Sequence, residues 1–289
     1  MQGPIALYIQ LSLLLLVASV GLRAQWRDLV SVFTQPSLLI RGVVAVNVIV
    51  PAVALVMVWA LPIEPIVKIA IFVMAVSPMA PFLPGKMLKA GADSSYVVGL
   101  YCAIMLLAVI LVPATIALAA AISGKTVSAP VGELAKLVAL SVLLPLGAGL
   151  GTAMLAPAFA RRAASIANLV AILALLPIVV LILVKSWSGL GALFGNGALL
   201  AIVVTLVAAL AAGYMLGGPD RGNRIALALA AATRHPGIAI LILKHNSDDQ
   251  RAVLTVILFL FAGIIVSSIY QAIAMKRLGV AAAPPTATS

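Results

Sequence analysis

The chain has 289 residues, of which 64% are hydrophobic and 9% charged, and its net charge is +11. A composition this apolar excludes a soluble globular core with a wettable surface and indicates a polytopic membrane protein. Nucleic-acid binding is excluded as well, because the basic residues form no face with interleaved aromatic side chains.

Apolar runs long enough to cross a bilayer, at roughly 20 residues each, predict about nine transmembrane helices. They cover residues 4–22, 38–60, 64–90, 94–122, 132–156, 163–185, 196–217, 223–245 and 251–275. The first run resembles the apolar part of a secretory signal, but it lacks a preceding basic residue and a good cleavage site, so we expect a retained span. We expect one transmembrane domain, residues 1–280, and a short disordered tail, residues 281–289.

The basic residues predict the orientation of the chain. With nine spans, one side of the membrane carries Arg23, Arg27, Arg41, Lys86, Lys89, Arg161, Arg162, Arg221, Arg224, Lys276 and Arg277, and the other carries Lys68, Lys125, Lys136, Lys185, Lys244 and Arg251. Cytoplasmic loops are the ones enriched in Lys and Arg. We therefore expect a plasma (inner) membrane protein with its N-terminus outside and its C-terminus in the cytoplasm.

Turn chemistry interrupts the third and the eighth apolar run. The residues that predict these helix breaks are Pro78, Pro81, Pro84 and Gly85 in the third run, and Pro236 and Gly237 in the eighth. If the fifth run is set aside, repeats at about 1–122 and 160–277 have the same order of plain and broken runs in opposite orientations. This order predicts an all-α inverted-repeat transporter fold, in which the two broken helices cross near the midplane.

No acidic residue lies at membrane depth, because all seven Asp and Glu residues fall in loops or at the ends of runs. This disfavours a carboxylate-based cation site and a buried acidic proton relay. Catalytic motifs of membrane metalloenzymes, serine hydrolases and nucleotide-binding enzymes are missing too. A single cysteine, Cys102, allows no internal disulfide. We therefore expect no enzyme activity, no metal and no cofactor.

The candidate substrate-binding residues are Arg234, His235, Thr233, Asn47 and Ser77. Arg234 either caps carbonyl groups freed by Pro236 or binds an anionic group through its planar guanidinium. His235 either couples transport to protons or only donates a hydrogen bond to the facing break. Asn47, near Pro51, has a structural alternative, a hydrogen bond to a neighbouring helix. For Lys86 and Lys89 we expect snorkelling, with the side chains extended so that their charges reach the cytoplasmic surface of the membrane.

Around these residues the chain resembles the bile acid:sodium symporter family, within a larger group that includes arsenite and auxin carriers. The resemblance extends over residues 38–275. Residues 230–239, Ala-Ala-Ala-Thr-Arg-His-Pro-Gly-Ile-Ala, take the place of the family's Glu-x-Gly-x-Gln-Asn-Ser-Gly-Leu-Ala. Residues 78–84, Pro-Met-Ala-Pro-Phe-Leu-Pro, take the place of its Pro-Gly-Gly-Thr-Ala-Ser-Asn. The resemblance implies a nine-span transporter.

The family's sodium ligands do not carry over by this alignment. Its Glu falls on Ala230, its Gln-Asn pair on Arg234 and His235, and its Ser-Asn pair on Leu83 and Pro84. Sodium is a family cofactor whose ligands are not matched here, and Arg234 would stand in for the ion as a fixed positive charge. The resemblance then implies a protein embedded in the lipid bilayer that is a uniporter, an exchanger or a proton-linked carrier of small organic anions.

Two alternatives remain open at this point. One is a non-transporting membrane receptor or scaffold built on a transporter fold, which would need long loops or appended domains that the sequence does not offer. The other is an efflux carrier of the arsenite or auxin type. Paired broken spans favour transport.

Overall fold

The computed structural model describes residues 4–27, 30, 34–122, 131–194, 197–246 and 249–278. Within these residues the fold is all-helical, and no strand forms beyond one isolated backbone bridge. The helices are numbered α1 Pro4–Gly21, α2 Pro36–Ala60, α3 Pro65–Val76, α4 Leu83–Lys89, α5 Ser94–Ile122, α6 Val131–Leu155, α7 Pro157–Phe194, α8 Ala198–Leu216, α9 Arg221–Ala232, α10 Pro236–Asn246 and α11 Gln250–Leu278. The predicted tail, residues 281–289, lies outside the described residues.

Six helices in the described part of the chain are long and apolar enough to cross a bilayer. They are α2, α5, α6, α8, α11 and the Pro157–Pro177 part of α7. Shorter apolar stretches cover Gln10–Gly21 and Pro65–Val76. The prediction of an all-helical integral membrane protein is therefore confirmed. The spans predicted at 4–22, 64–90 and 223–245 remain predictions.

Local chemistry explains where several helices begin. Proline occupies the first turn of α2, α3 and α4, where its missing N–H leaves no helical bond unmade. Asp93 caps α5 by accepting a hydrogen bond from the Tyr96 N–H at 2.9 Å, and Asp220 caps α9 by accepting one from the Asn223 N–H at 2.8 Å. The Asn223 amide oxygen also accepts a hydrogen bond from the Asp93 N–H at 3.3 Å, which joins the two helix starts.

Two of the long helices contain a π-helical turn, Val44–Ile49 in α2 and Ala139–Leu143 in α6. Each turn is followed two residues later by a proline, Pro51 or Pro145. In the π pattern a carbonyl pairs with the N–H five residues further along, which for Val46 would belong to Pro51. Since proline has no N–H, the Val46 carbonyl is left to another donor.

Helix α9 lies in the protein core, and every residue from Ile225 to Ala232 is buried. Close approach is possible because glycines face it: a Cβ on Gly213 of α8 would lie 2.4 Å from the Leu227 carbonyl oxygen, and one on Gly217 would lie 2.4 Å from the Arg224 Cα. Gly222 at the start of α9 meets the Gly91 backbone equally closely. These contacts fix where α9 ends, and the functional candidates follow directly after it.

Helices α1 and α6 also pack at a glycine contact. A Cβ on Gly149 would lie 2.4 Å from the Ala18 carbonyl oxygen, and one on Gly21 would lie 2.3 Å from the Leu146 carbonyl oxygen. The neighbouring Gly147 and Gly151 have no atom within 4 Å of the position a Cβ would take. Close packing therefore accounts for Gly149 and not for the other two.

We expect Gly149→Ala to destabilise the protein by about 1–3 kcal/mol, the usual effect of overpacking, because the new methyl group would collide with backbone atoms of α1. Gly147→Ala is the matched control, two residues away on an exposed part of the same helix. It should be neutral or slightly stabilising, because alanine is the better helix former. Thermal unfolding in detergent measures both, and equal melting temperatures for the two variants would contradict the α1–α6 packing.

Candidate functional site

Two short connections lie against each other inside the protein. The first connection, residues 77–82, joins α3 to α4, and the second connection, residues 233–235, joins α9 to α10. Met79 and Arg234 form the isolated antiparallel bridge, and the His235 N–H donates to the Pro78 carbonyl at 2.8 Å. Segments far apart in the sequence thus satisfy part of each other's free backbone.

The helix boundaries correct the extent of the predicted breaks. Pro78 and Pro81 lie between helices, but Pro84 and Gly85 lie in the first turn of α4, and Pro236 and Gly237 open α10. A proline in the first turn breaks no helical hydrogen bond, so Pro84 and Pro236 start helices rather than interrupt them.

Arg234 lies at the centre of this contact and is 2% exposed. Its Nη2 donates to the Val46 carbonyl at 2.7 Å and its Nη1 donates to the Ser77 carbonyl at 3.3 Å. The N–H that would serve the Ser77 carbonyl in a continuing helix belongs to Pro81, and Val46 loses its partner to Pro51. The carbonyls that the guanidinium satisfies are therefore freed by prolines of the first half, not by Pro236.

No described carboxylate lies within ion-pairing distance of Arg234. The ion pairs of the described residues surround Arg251, whose Nη1 lies 2.8 Å from Glu64 and whose Nη2 lies 2.7 Å from Asp249. The side-chain hydrogen bonds from Arg251 lower the pKa of the Asp249 carboxyl, so this group stays ionised. Among the described residues, the groups that balance the buried charge of Arg234 are thus the Val46 and Ser77 carbonyl dipoles.

Within the part of the chain that the structure describes, three buried polar atoms of the candidate residues have no hydrogen-bond partner. They are Arg234 Nε, Thr233 Oγ1 and Asn47 Nδ2. Thr233 precedes the arginine, and Asn47 follows Val46, which the arginine contacts. A buried donor left unpaired costs about 1–3 kcal/mol, so such atoms in a native structure call for an explanation. All three can donate a hydrogen bond, which suits a ligand that only accepts.

The other two predicted site residues are used within the fold. The Ser77 hydroxyl donates to the Val73 carbonyl at 2.8 Å, so Ser77 contributes its carbonyl and not its side chain. His235 Nδ1 accepts a hydrogen bond from the Ile238 N–H at 3.4 Å and thereby caps α10, while its backbone N–H donates to the facing connection. Both residues lie at the contact between the connections.

A cleft with an empty volume of about 270 Å³ reaches Arg234. It is lined by Met74, Phe82, Lys86, Ala232, Thr233, Arg234, Phe259, Leu260, Gly263 and Ile264. Arg234 and Thr233 are the only predicted site residues among these lining residues; Asn47, Ser77 and His235 are not. This volume includes space that is open to the surroundings, so it is not the volume of an enclosed cavity.

Lys86 is the lining residue that sequence reasoning assigned elsewhere, to the cytoplasmic end of a span. Its Nζ lies 5.7 Å from the centroid of the Phe82 ring, within the range of a cation–π contact. The four-residue spacing of Phe82 and Lys86 is the sequence signal that places both on one helical face. No comparable signal marks Phe259 or Gly263 of α11, which are four residues apart but carry no polar group.

The side chains that the resemblance aligns with the family's sodium ligands do not fit a sodium ion. Ala230, Leu83 and Pro84 are buried and offer no side-chain oxygen, and the nearby Val46 and Ser77 carbonyls already accept from Arg234. Among the residues that the structure describes, no group of three His, Cys, Asp or Glu side chains is arranged to hold a metal.

Comparison with known proteins gives one family. The model of the sodium bile acid symporter family matches residues 10–192, which include the first connection, Asn47 and Lys86 and end before Arg234. No curated protein matches the sequence. Because the family match covers more than half of the 289 residues, the chain belongs to the sodium bile acid symporter family.

Proposed function

We propose that the protein is a secondary transporter or facilitator of a small organic anion, which it moves by alternating access at the two connections. Family membership indicates a membrane transporter of the bile acid symporter type, with a small-molecule substrate and a lipid surround. The observation that supports an anionic substrate is the environment of Arg234. Its guanidinium is buried, has no described carboxylate near it, and has an Nε–H without a partner among the described residues.

The chemistry of the unpaired atoms supports an anion. An arginine at membrane depth is expensive to bury and marks a functional site by default. A carboxylate or similar group would neutralise the charge and accept from Arg234 Nε, and Thr233 Oγ1 beside it has a hydroxyl to donate. Asn47, the residue after Val46, has a further buried donor, Nδ2, without a partner among the described residues. A cationic substrate would meet repulsion from the guanidinium.

The proposed architecture has nine spans in two inverted repeats, about 1–122 and 160–277. In this arrangement α3 and α4 form one interrupted span, α9 and α10 form the other, and the N-terminus lies outside a plasma (inner) membrane. The contact between the connections supports it, because interrupted helices of inverted repeats meet around a substrate site.

Binding is coupled to movement through the guanidinium itself. Arg234 ties the second connection to α2 through Val46 and to the first connection through Ser77. An anion that takes over N–H groups of the guanidinium weakens these ties, so the bound and unbound states differ in how firmly the two halves hold together. That differential interaction is what a ligand needs to shift a conformational equilibrium.

Replacing Arg234 tests the substrate site. In proteoliposomes supplied with a panel of labelled organic acids, Arg234→Lys should keep transport but weaken apparent affinity by about 1–3 kcal/mol, because lysine keeps the charge and loses the fork of donors. Arg234→Ala should abolish transport. Arg221→Ala is the control, since Arg221 is exposed, and it should transport normally.

Thermal unfolding of the same variants in detergent separates binding from folding. If Arg234 serves only to cap the Val46 and Ser77 carbonyls, Arg234→Ala would lower the melting temperature and its folded fraction would still transport. That pair of results would overturn the proposed site.

Transport should be largely insensitive to replacing Na⁺ by K⁺ or choline, because Ala230, Leu83 and Pro84 supply no ligand and Arg234 occupies the nearby carbonyls. The measurement is uptake in proteoliposomes at constant ionic strength and pH. A steep and saturable dependence on Na⁺ would disprove this and show that neutral oxygens suffice for an ion site.

The proposed orientation predicts that the start of α6 and the start of α7 are labelled from opposite sides of the membrane. In a Cys102→Ala background, a cysteine at position 132 should react with an impermeant reagent from outside, and one at position 161 only from the cytoplasm. Gly132 and Arg161 are both exposed, so neither substitution disturbs the packing. Reaction of both from the same side would refute the nine-span count.

A further inference from the structure

Among the described residues that line the cleft at Arg234, two are positively charged and none is negatively charged. Lys86 and Arg234 both line it, and the remaining lining residues are Thr233, Gly263 and six apolar side chains. A ligand that enters the cleft therefore lies beside both residues. Two like charges that line one cleft repel each other, and the repulsion is stronger where water is scarce.

The described carboxylates that could balance this charge are engaged elsewhere. Glu64 and Asp249 pair with Arg251, while Asp93 and Asp220 cap the starts of α5 and α9. Glu133 lies in the first turn of α6 and not along the cleft. Within the described residues, neither Lys86 nor Arg234 has a carboxylate within 4 Å.

Lys86 differs from its neighbour Lys89 on the same short helix. Lys86 is partly buried, its Nζ lies over the Phe82 ring, and it faces the cleft. Lys89 is exposed and does not line the cleft. Lys86 therefore gives the cleft a second basic residue besides Arg234, and Lys89 does not.

We propose that the substrate carries two anionic groups on a short apolar spine, one bound by Arg234 and the other by Lys86. The proposal rests on the proposed function, since it takes Arg234 as the primary anion site. A dianion neutralises both charges at once, and its spine would lie against the apolar walls formed by Met74, Phe259 and Leu260. A monoanion of the same length would leave the Lys86 ammonium unpaired beside an apolar spine.

The test compares acids that differ only in the second carboxylate. Binding of succinate against butyrate, glutarate against pentanoate, and adipate against hexanoate is measured by titration calorimetry on the detergent-purified protein near pH 7.5. At least one dicarboxylate should bind about tenfold or more tightly than its partner, the difference expected from one extra hydrogen-bonded charge pair. Lys86→Gln should remove that preference, so that each dicarboxylate and its matching monocarboxylate bind with about the same affinity.

Two further variants serve as controls for the role of Lys86. Lys89→Gln removes the same charge from the same helix and should keep the full preference, and Lys86→Arg should restore it. Loss of the preference in Lys89→Gln, or its survival in Lys86→Gln, would overturn the role of Lys86. So would a wild-type protein that binds no dicarboxylate more tightly than the matching monocarboxylate.

Arg234→Ala distinguishes the failure of this inference from the failure of the proposed function. If monocarboxylates bind, need Arg234 and show no weaker binding than dicarboxylates, the two-charge substrate is wrong and the organic-anion site stands. If Arg234→Ala binds every acid as the wild type does, the organic-anion site is wrong, and the two-charge substrate is wrong with it.

Discussion

The interaction on which the centre of this structure depends is the pair of hydrogen bonds from the Arg234 guanidinium to the Val46 and Ser77 carbonyls. Each carbonyl lacks a helical donor because a proline stands where the donor would be, and each lies where water cannot readily replace it. A guanidinium has five N–H donors and can serve both carbonyls and still have donors left over. The arginine and the prolines therefore depend on one another.

This dependence explains why the surrounding packing is so close. The arginine follows α9, and α9 reaches its position only because Gly213 and Gly217 let two helix backbones approach. A shift of α9 by even one side-chain diameter would carry the guanidinium out of hydrogen-bonding range of the Val46 and Ser77 carbonyls. Small residues around α9 thus serve the site as much as the fold, since apolar packing in a membrane relies on close contact.

Proline and glycine in the sequence mark the neighbourhood of the two connections, residues 77–82 and 233–235, and Arg234 and Thr233 lie in the second one. Pro84 and Pro236 lie outside these connections, because a proline suits a helix start as well as a helix stop. The partners of Arg234 were hidden from sequence reasoning: the free carbonyl of Val46 depends on a π-helical turn, which no residue pattern marks. Lys86 was assigned to the membrane surface because charge alone does not show which way a long side chain turns.

A fixed guanidinium and a bound sodium ion would have different consequences for energy coupling. A dissociable ion can be taken up on one side and released on the other, so its gradient drives the substrate. The guanidinium is part of the chain and cannot be released on either side of the membrane. It nevertheless supplies the same positive charge to the freed carbonyls and to an anion. Under the proposed function the protein therefore equilibrates or exchanges its substrate unless a second group, such as His235, carries a proton. His235 is held by the cap it gives to α10, so a proton on Nδ1 would break that cap and loosen the start of the helix next to the site.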